Sequence, residues 1–316
     1  TAFNAETGRV VWDVALRDGD EKRDAASGGG IAYDGGVIYA SVGSGFTAAL
    51  NANSGQLIWR TDFDVALRGA PTVSEGQVYV TTHDNQLYAL NANDGEIAWQ
   101  HVAITEAAGL IGAASPAVVG DTVIAAFSSG ELYALQATTG RVAWADSLTR
   151  TGRMTALSTL NDIDGHPVVD RGLVFAVGHS GRMASIDLRS GERVWENNVA
   201  SAGTVWVAGD FLYVLTVDNE VLCVSRRNGR VRWISELQRW RNNNRNKRIV
   251  VWTGPILAGN RLLVVSNDGY AVSLSPYTGE FLGSIQLPDR KNYISPVVAN
   301  GTLYLMSDDG LLMAMR

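Results

Sequence analysis

Short runs of β-branched and aromatic residues alternate along this chain with breaks of Gly, Asn, Asp and Ser. The stretch from Pro71 to Trp99 shows the unit. Pro71-Thr72-Val73 reads as a first strand, and Glu75-Gly76 turns the chain. Gln77-Val78-Tyr79-Val80-Thr81 reads as a second strand, with a turn at His83-Asp84-Asn85. Gln86-Leu87-Tyr88-Ala89-Leu90 reads as a third and Glu96-Ile97-Ala98-Trp99 as a fourth. Such side chains suit a pleated, buried surface, and the breaks supply turn geometry. Ser129-Gly130, Ser180-Gly181, Asp218-Asn219, Asp268-Gly269 and Asp309-Gly310 recur at the second-to-third link, where tight hairpins need positive φ.

The break between third and fourth runs is itself a repeat. It reads Asn4-Ala5-Glu6-Thr7-Gly8 then Trp12, Asn51-Ala52-Asn53-Ser54-Gly55 then Trp59, and Asn91-Ala92-Asn93-Asp94-Gly95 then Trp99. It returns as Gln136-Ala137-Thr138-Thr139-Gly140 with Trp144 and Asp187-Leu188-Arg189-Ser190-Gly191 with Trp195. Two degenerate copies follow: Ser225 to Gly229 with Trp233, and Ser275 to Gly279, where Gly283 stands in the Trp place. Each glycine before a fourth strand is expected in a left-handed conformation.

Many strands are apolar on both faces, as in Leu87-Tyr88-Ala89-Leu90, so neighbouring sheets must cover them. Four-stranded sheets repeating every 40 to 50 residues describe an all-β fold, a β-propeller of antiparallel blades, in preference to a solenoid. Full repeats are expected at about 31–59, 71–99, 116–144, 167–195, 205–233 and 255–283, with a partial repeat at 296–316. Residues 1–12 supply one outer strand, and Thr1-Ala2-Phe3 reads as the tail of a third strand. About seven blades' worth of strands is therefore present in one domain, and the chain reads as starting partway through a unit. Trp59, Trp99, Trp144, Trp195 and Trp233 are expected to be structural, each ending a fourth strand and wedging between blades.

Composition narrows the chemistry. The chain has 316 residues, 46% apolar and 18% charged, which forms a core. Its net charge of −6 argues against an overall nucleic-acid footprint. Cys223 is the single cysteine and sits among apolar neighbours, as a core residue does. No apolar run reaches the length of a membrane span. None of the four histidines, His83, His101, His166 and His179, is spaced as a metal pair. Gly43-Ser44-Gly45-Phe46-Thr47-Ala48 mimics a dinucleotide fingerprint, but a strand follows where a phosphate-binding helix is needed.

Two fourth-to-first links are long, Ala145–His166 and Ile234–Gly254. Such links share one face with the second-to-third hairpins, and long loops on a rigid scaffold are where binding resides. Asp162 and Asp164 lie in the first link. They read as turn residues or as a pair projecting the same way from an extended segment toward Arg or Lys on a partner; a calcium loop would need further acids. The second link is basic, with Arg239, Trp240, Arg241, Arg245, Lys247 and Arg248. It reads as a solvated loop or as a contact for anionic lipid or an acidic partner.

The runs Leu87–Trp99 and Leu132–Trp144, with Asn161-Asp162-Ile163-Asp164-Gly165-His166-Pro167-Val168-Val169, resemble the quinoprotein-type propeller repeat and, over the whole chain, the outer-membrane protein assembly factor BamB family. The repeat itself is specific for fold only; the Asp-x-Asp-x-x-Pro-Val-Val run is the more specific element. The resemblance implies an eight-bladed propeller on the periplasmic side of the bacterial outer membrane, held by a lipidated N-terminal cysteine that this chain does not contain. It implies a scaffold without catalysis or cofactor that binds the POTRA domains of BamA within the barrel assembly complex, with unfolded outer-membrane proteins as a further partner and no nucleic acid. Family contact loops map onto Asp162 and Asp164 and onto Leu110, Ile111 and Gly112. At the second, Ile111 replaces an arginine and Ala108 a leucine. A quinone-dependent dehydrogenase and a generic propeller sensor are the alternatives. The first would carry an adjacent Cys-Cys pair, which is missing here.

Overall fold

The computed structural model describes residues 1–16, 28–67, 69–104, 114–149, 162–241, 248–291 and 293–316. Its described residues form an all-β propeller of antiparallel sheets. Blade 1 has two strands, Ala2–Phe3 and Val10–Trp12. Blades 2 to 7 span residues 29–62, 72–102, 117–147, 168–197, 206–236 and 252–286, each with four strands in sequence order. Blade 8 has three, Val297–Ala299, Thr302–Met306 and Leu312–Met315. The Arg316 guanidinium reaches the Ala5 carbonyl at 3.4 Å and so brings blade 8 beside blade 1.

The second and third strands carry the core because both their faces are covered. In blade 4, Ile124 and Ala126 pack toward blade 5 with Leu132 and Val174. Their neighbours Val123, Ala125 and Phe127 pack toward blade 3 with Tyr79 and Leu87. This is the two-residue period of a strand, with one hydrophobic layer on each side. Six such layers lie between consecutive blades from 2 to 8. The fourth strand lies outermost and alternates exposed with partly buried positions, as in Ile97–Val102. First strands of blades 3 to 6 have only three residues, and the first strands of consecutive blades from 2 to 7 adjoin.

The repeated Gly and Trp meet across blades. The indole N–H of Trp12 donates to the Ala52 carbonyl of the next blade (2.9 Å), Trp59 to Ala92 (2.8 Å) and Trp99 to Ala137 (2.7 Å). Trp144 donates to Leu188, Trp195 to Arg226 and Trp233 to Pro276. Each ring lies on the turn glycine of the next blade: a Cβ on Gly95 would sit 2.5 Å from Trp59 Cε3. Gly95 also has φ +76°, so both the backbone and the close approach require glycine there. The turn is set locally, since the Asn51 Oδ1 accepts the Asn53 and Ser54 N–H groups. Trp12 makes the same contact as the five tryptophans singled out from sequence, and its spacing from Gly8 was the signal for it. In blade 7, where Gly283 replaces the indole, the layer toward blade 8 is the smallest of the six.

In blades 2 to 6 the fourth strand runs past its tryptophan instead of ending there. Leu90 pairs with Ile97 and Ala89 with Trp99, leaving Ala98 as an extra residue. The same one-residue bulge precedes Trp12, Trp59, Trp144, Trp195, Trp233 and Gly283. It re-aims the indole toward the next blade, and the ladder then resumes, to Val102 opposite Gln86 in blade 3. Cys223 is buried, which pushes its thiol pKa up to about 11 and keeps it unreactive.

Replacing Trp99 with Ala is expected to cost about 3–5 kcal/mol in denaturant unfolding. Gly140→Ala strikes the same junction from the other side, at φ +68° and with Trp99 2.6 Å from the added carbon. The double variant should therefore lose clearly less than the sum of the two single losses.

Candidate functional site

In a four-stranded meander the second-to-third hairpins and the fourth-to-first links share one face. Residues 162–167 cross this face as a strap between blades 4 and 5. Leu148, before the strap, donates its N–H to the Gly130 carbonyl (2.8 Å), and its own carbonyl accepts the Ser180 hydroxyl (3.1 Å). The Asp162 carbonyl accepts the His179 N–H (2.8 Å) from the blade 5 hairpin. Ile163 is buried in the layer between blades 4 and 5 and donates to Phe127 (3.4 Å).

The strap is also fixed to the links on either side. A Cβ on Gly165 would meet the Gly203 carbonyl at 2.4 Å, so only glycine permits this approach. The His166 N–H donates to the Thr204 hydroxyl (3.0 Å), and its Nδ1 accepts the Ser115 N–H (2.8 Å). Partial desolvation of the ring lowers the His166 pKa, and the Ser115 contact needs an unprotonated Nδ1, so both favour the neutral ring. Four connections thus meet here: 114–116, 162–167, 201–205 and, beyond Gly203, the start of blade 7 at Gly254.

The two strap carboxylates occupy different depths. Asp162 is 1% exposed, whereas Asp164 is partly exposed. The Asp164 pKa is raised to about 6, first by burial and then by the Asp162 charge. Near neutral pH the strap therefore holds an ionised carboxylate that its surroundings disfavour. Leu110, Ile111 and Gly112 lie outside the described residues.

The basic link folds back on itself where it is described. Trp240 bridges Ile249, and the Val250 N–H donates to the Arg239 carbonyl (3.0 Å). Its arginines meet acids of this same chain: Arg239 reaches Asp218 (3.2 Å) and Arg241 reaches Asp268 (2.9 Å). Arg248 flanks the bridge, its carbonyl accepting the Arg241 N–H (3.2 Å); Arg245 and Lys247 lie outside the described residues. Part of the positive charge seen in the sequence is thus matched within the fold.

The family described as outer membrane protein assembly factor BamB matches residues 1–235. The chain belongs to the BamB family. It is 30% identical to BamB of Salmonella typhimurium strain LT2 over 317 residues, covering 99% of this chain and 79% of that protein. BamB of Escherichia coli K12 is 29% identical with the same coverage. The crystal structure of BamB from Moraxella catarrhalis has a TM-score of 0.80 at 24% identity, over 92% of this chain and 84% of that one. A europium-containing methanol dehydrogenase has a TM-score of 0.67 at 13% identity, over 93% and 79%. These two likenesses show the fold, which BamB proteins thus share with an enzyme.

For Asp164 the unfolded value is the ordinary 3.8 and the folded value about 6. The folded state thus binds the proton more tightly, and stability should fall as pH rises from about 4 to 6. Asp164→Asn is expected to raise stability at pH 7 by about 1–3 kcal/mol. Thermal unfolding should show this gain vanish near pH 4.

Proposed function

We propose that this chain is a non-catalytic scaffold subunit of the outer-membrane β-barrel assembly machinery. It works on the periplasmic side of the outer membrane. The face that carries the 162–167 strap docks the POTRA domains of BamA, and unfolded outer-membrane proteins are a further partner. Asp164 is the contacting carboxylate, and the buried Asp162 holds its charge beneath it. Leu110, Ile111 and Gly112 are a second contact segment in this reading. Family membership and the names of the relatives support the assembly role.

The observation that carries the docking reading is the partly exposed, destabilised Asp164 on a strap fixed from four sides. An unrelieved carboxylate is a cost to the free protein, and an Arg or Lys from a partner removes it through a charge-assisted hydrogen bond. Because the strap is already ordered, docking loses little conformational entropy.

A partner cation must meet the ionised form of Asp164. Affinity for a purified POTRA fragment is therefore expected to rise between pH 5 and pH 7. Asp164→Asn should weaken binding about tenfold at pH 7 and flatten the pH profile. Calorimetric titration reads both. An unchanged affinity together with a flat wild-type profile removes Asp164 from the interface.

A further inference from the structure

Repeated blades on one chain are an internal standard for what the fold itself requires. At the turn position whose carbonyl accepts the indole, the copies have Ala52, Ala92, Ala137, Leu188 and Pro276, but blade 6 has Arg226. At the bulge before the tryptophan they have Val11, Ile58, Ala98, Ala143, Val194 and Leu282, but blade 6 has Arg232. In the first-to-second turn, Gly35, Gly120, Gly209, Gly259 and Asn300 take the left-handed conformation. Blade 5 places Arg171 there, at φ +49°; Glu75 is the other exception. The fold asks for none of these three arginines.

All three, with Arg227, line one cleft of about 610 Å³ between blades 5 and 6. It lies among first-to-second and third-to-fourth turns, on the face opposite the strap. Arg226 forms its floor, 6% exposed, ion-paired with the Asp170 carboxylate and donating to the Asp170 carbonyl (2.5 Å). Arg171 approaches Asp170 (4.0 Å) and Asp210 (3.9 Å). Among the described residues neither Arg227 nor Arg232 has a carboxylate within 4.0 Å, and both are exposed. The Arg232 guanidinium lies over the Phe211 ring, 5.9 Å from its centre. Four arginines thus face two acids, in a chain whose net charge is −6.

We propose that this cleft binds a phosphate-bearing ligand of headgroup or sugar-phosphate size. Guanidinium forks match phosphate oxygens, and one anchored arginine orients the site while two uncommitted ones close on the anion. The volume suits a small organic ligand, and Leu173 and Phe211 supply an apolar wall beside the charges.

The test uses the full chain, with inorganic diphosphate in calorimetry and, in cosedimentation, phosphatidylcholine vesicles with or without phosphatidylglycerol. The variant is Arg227→Asn/Arg232→Val, which restores residue types that other blades carry at these exposed positions, and Arg261→Asn is the control. Unfolding midpoints establish that both variants are folded. The expected result is saturable phosphate binding that weakens at least tenfold in the double variant and persists in the control. Binding to phosphatidylglycerol vesicles that the double variant loses assigns a lipid headgroup as the source; diphosphate binding without vesicle binding assigns a soluble phosphate. The proposal falls if neither probe binds saturably, or if wild type and double variant bind alike. It also falls if a glutamate-rich peptide binds where diphosphate does not. POTRA affinity, carried by the opposite face, should be unchanged in this variant, so the two readings fail separately.

Discussion

The structure depends on one contact made between blades: an indole ring laid on the next blade's turn glycine, its N–H held by a carbonyl of that turn. The contact joins three requirements that are otherwise separate. The turn must be left-handed, its residue must lack a side chain, and the preceding fourth strand must bulge to aim the ring. Local conformation and packing between sheets therefore demand the same residues. Such agreement between levels is what makes a sequence specify one arrangement.

A scaffold joined in this way leaves the connections between sheets free to vary. On one face, the strap at 162–167 uses that freedom to fix a carboxylate where burial and a like charge oppose its ionisation. On the other, blade 6 puts arginines where its counterparts are apolar. Both features sit on rigid elements and both depart from what the repeat requires. Departure from an internal pattern marks surface chemistry more sharply here than exposure does, since many blades also expose single apolar residues such as Ile58 and Val194.

The blades were legible in the sequence because the contact between them needs Gly and Trp four residues apart, and that spacing survives in degenerate copies. Trp12 obeyed the same rule, and only the absence of a full blade around it hid its role. The bulges were not legible: an extra apolar residue such as Ala98 looks like ordinary strand. Nor was the depth of Asp162, because alternation along an extended segment puts both acids on one side. The chain instead threads Ile163 between two sheets and carries Asp162 inward with it. The basic link read as a charged surface, whereas ion pairing to Asp218 and Asp268 depends on hairpins distant in sequence. The arginine cleft was present in the repeat alignment but emerges only when equivalent positions of different blades are compared.

Between blades 7 and 8 the clasp is missing. Gly283 offers no ring to blade 8, and among the described residues only five buried apolar residues form the layer between those two sheets. Local opening begins where apolar contacts are fewest. Among the six seams from blade 2 to blade 8, the one between blades 7 and 8 is therefore the first to part.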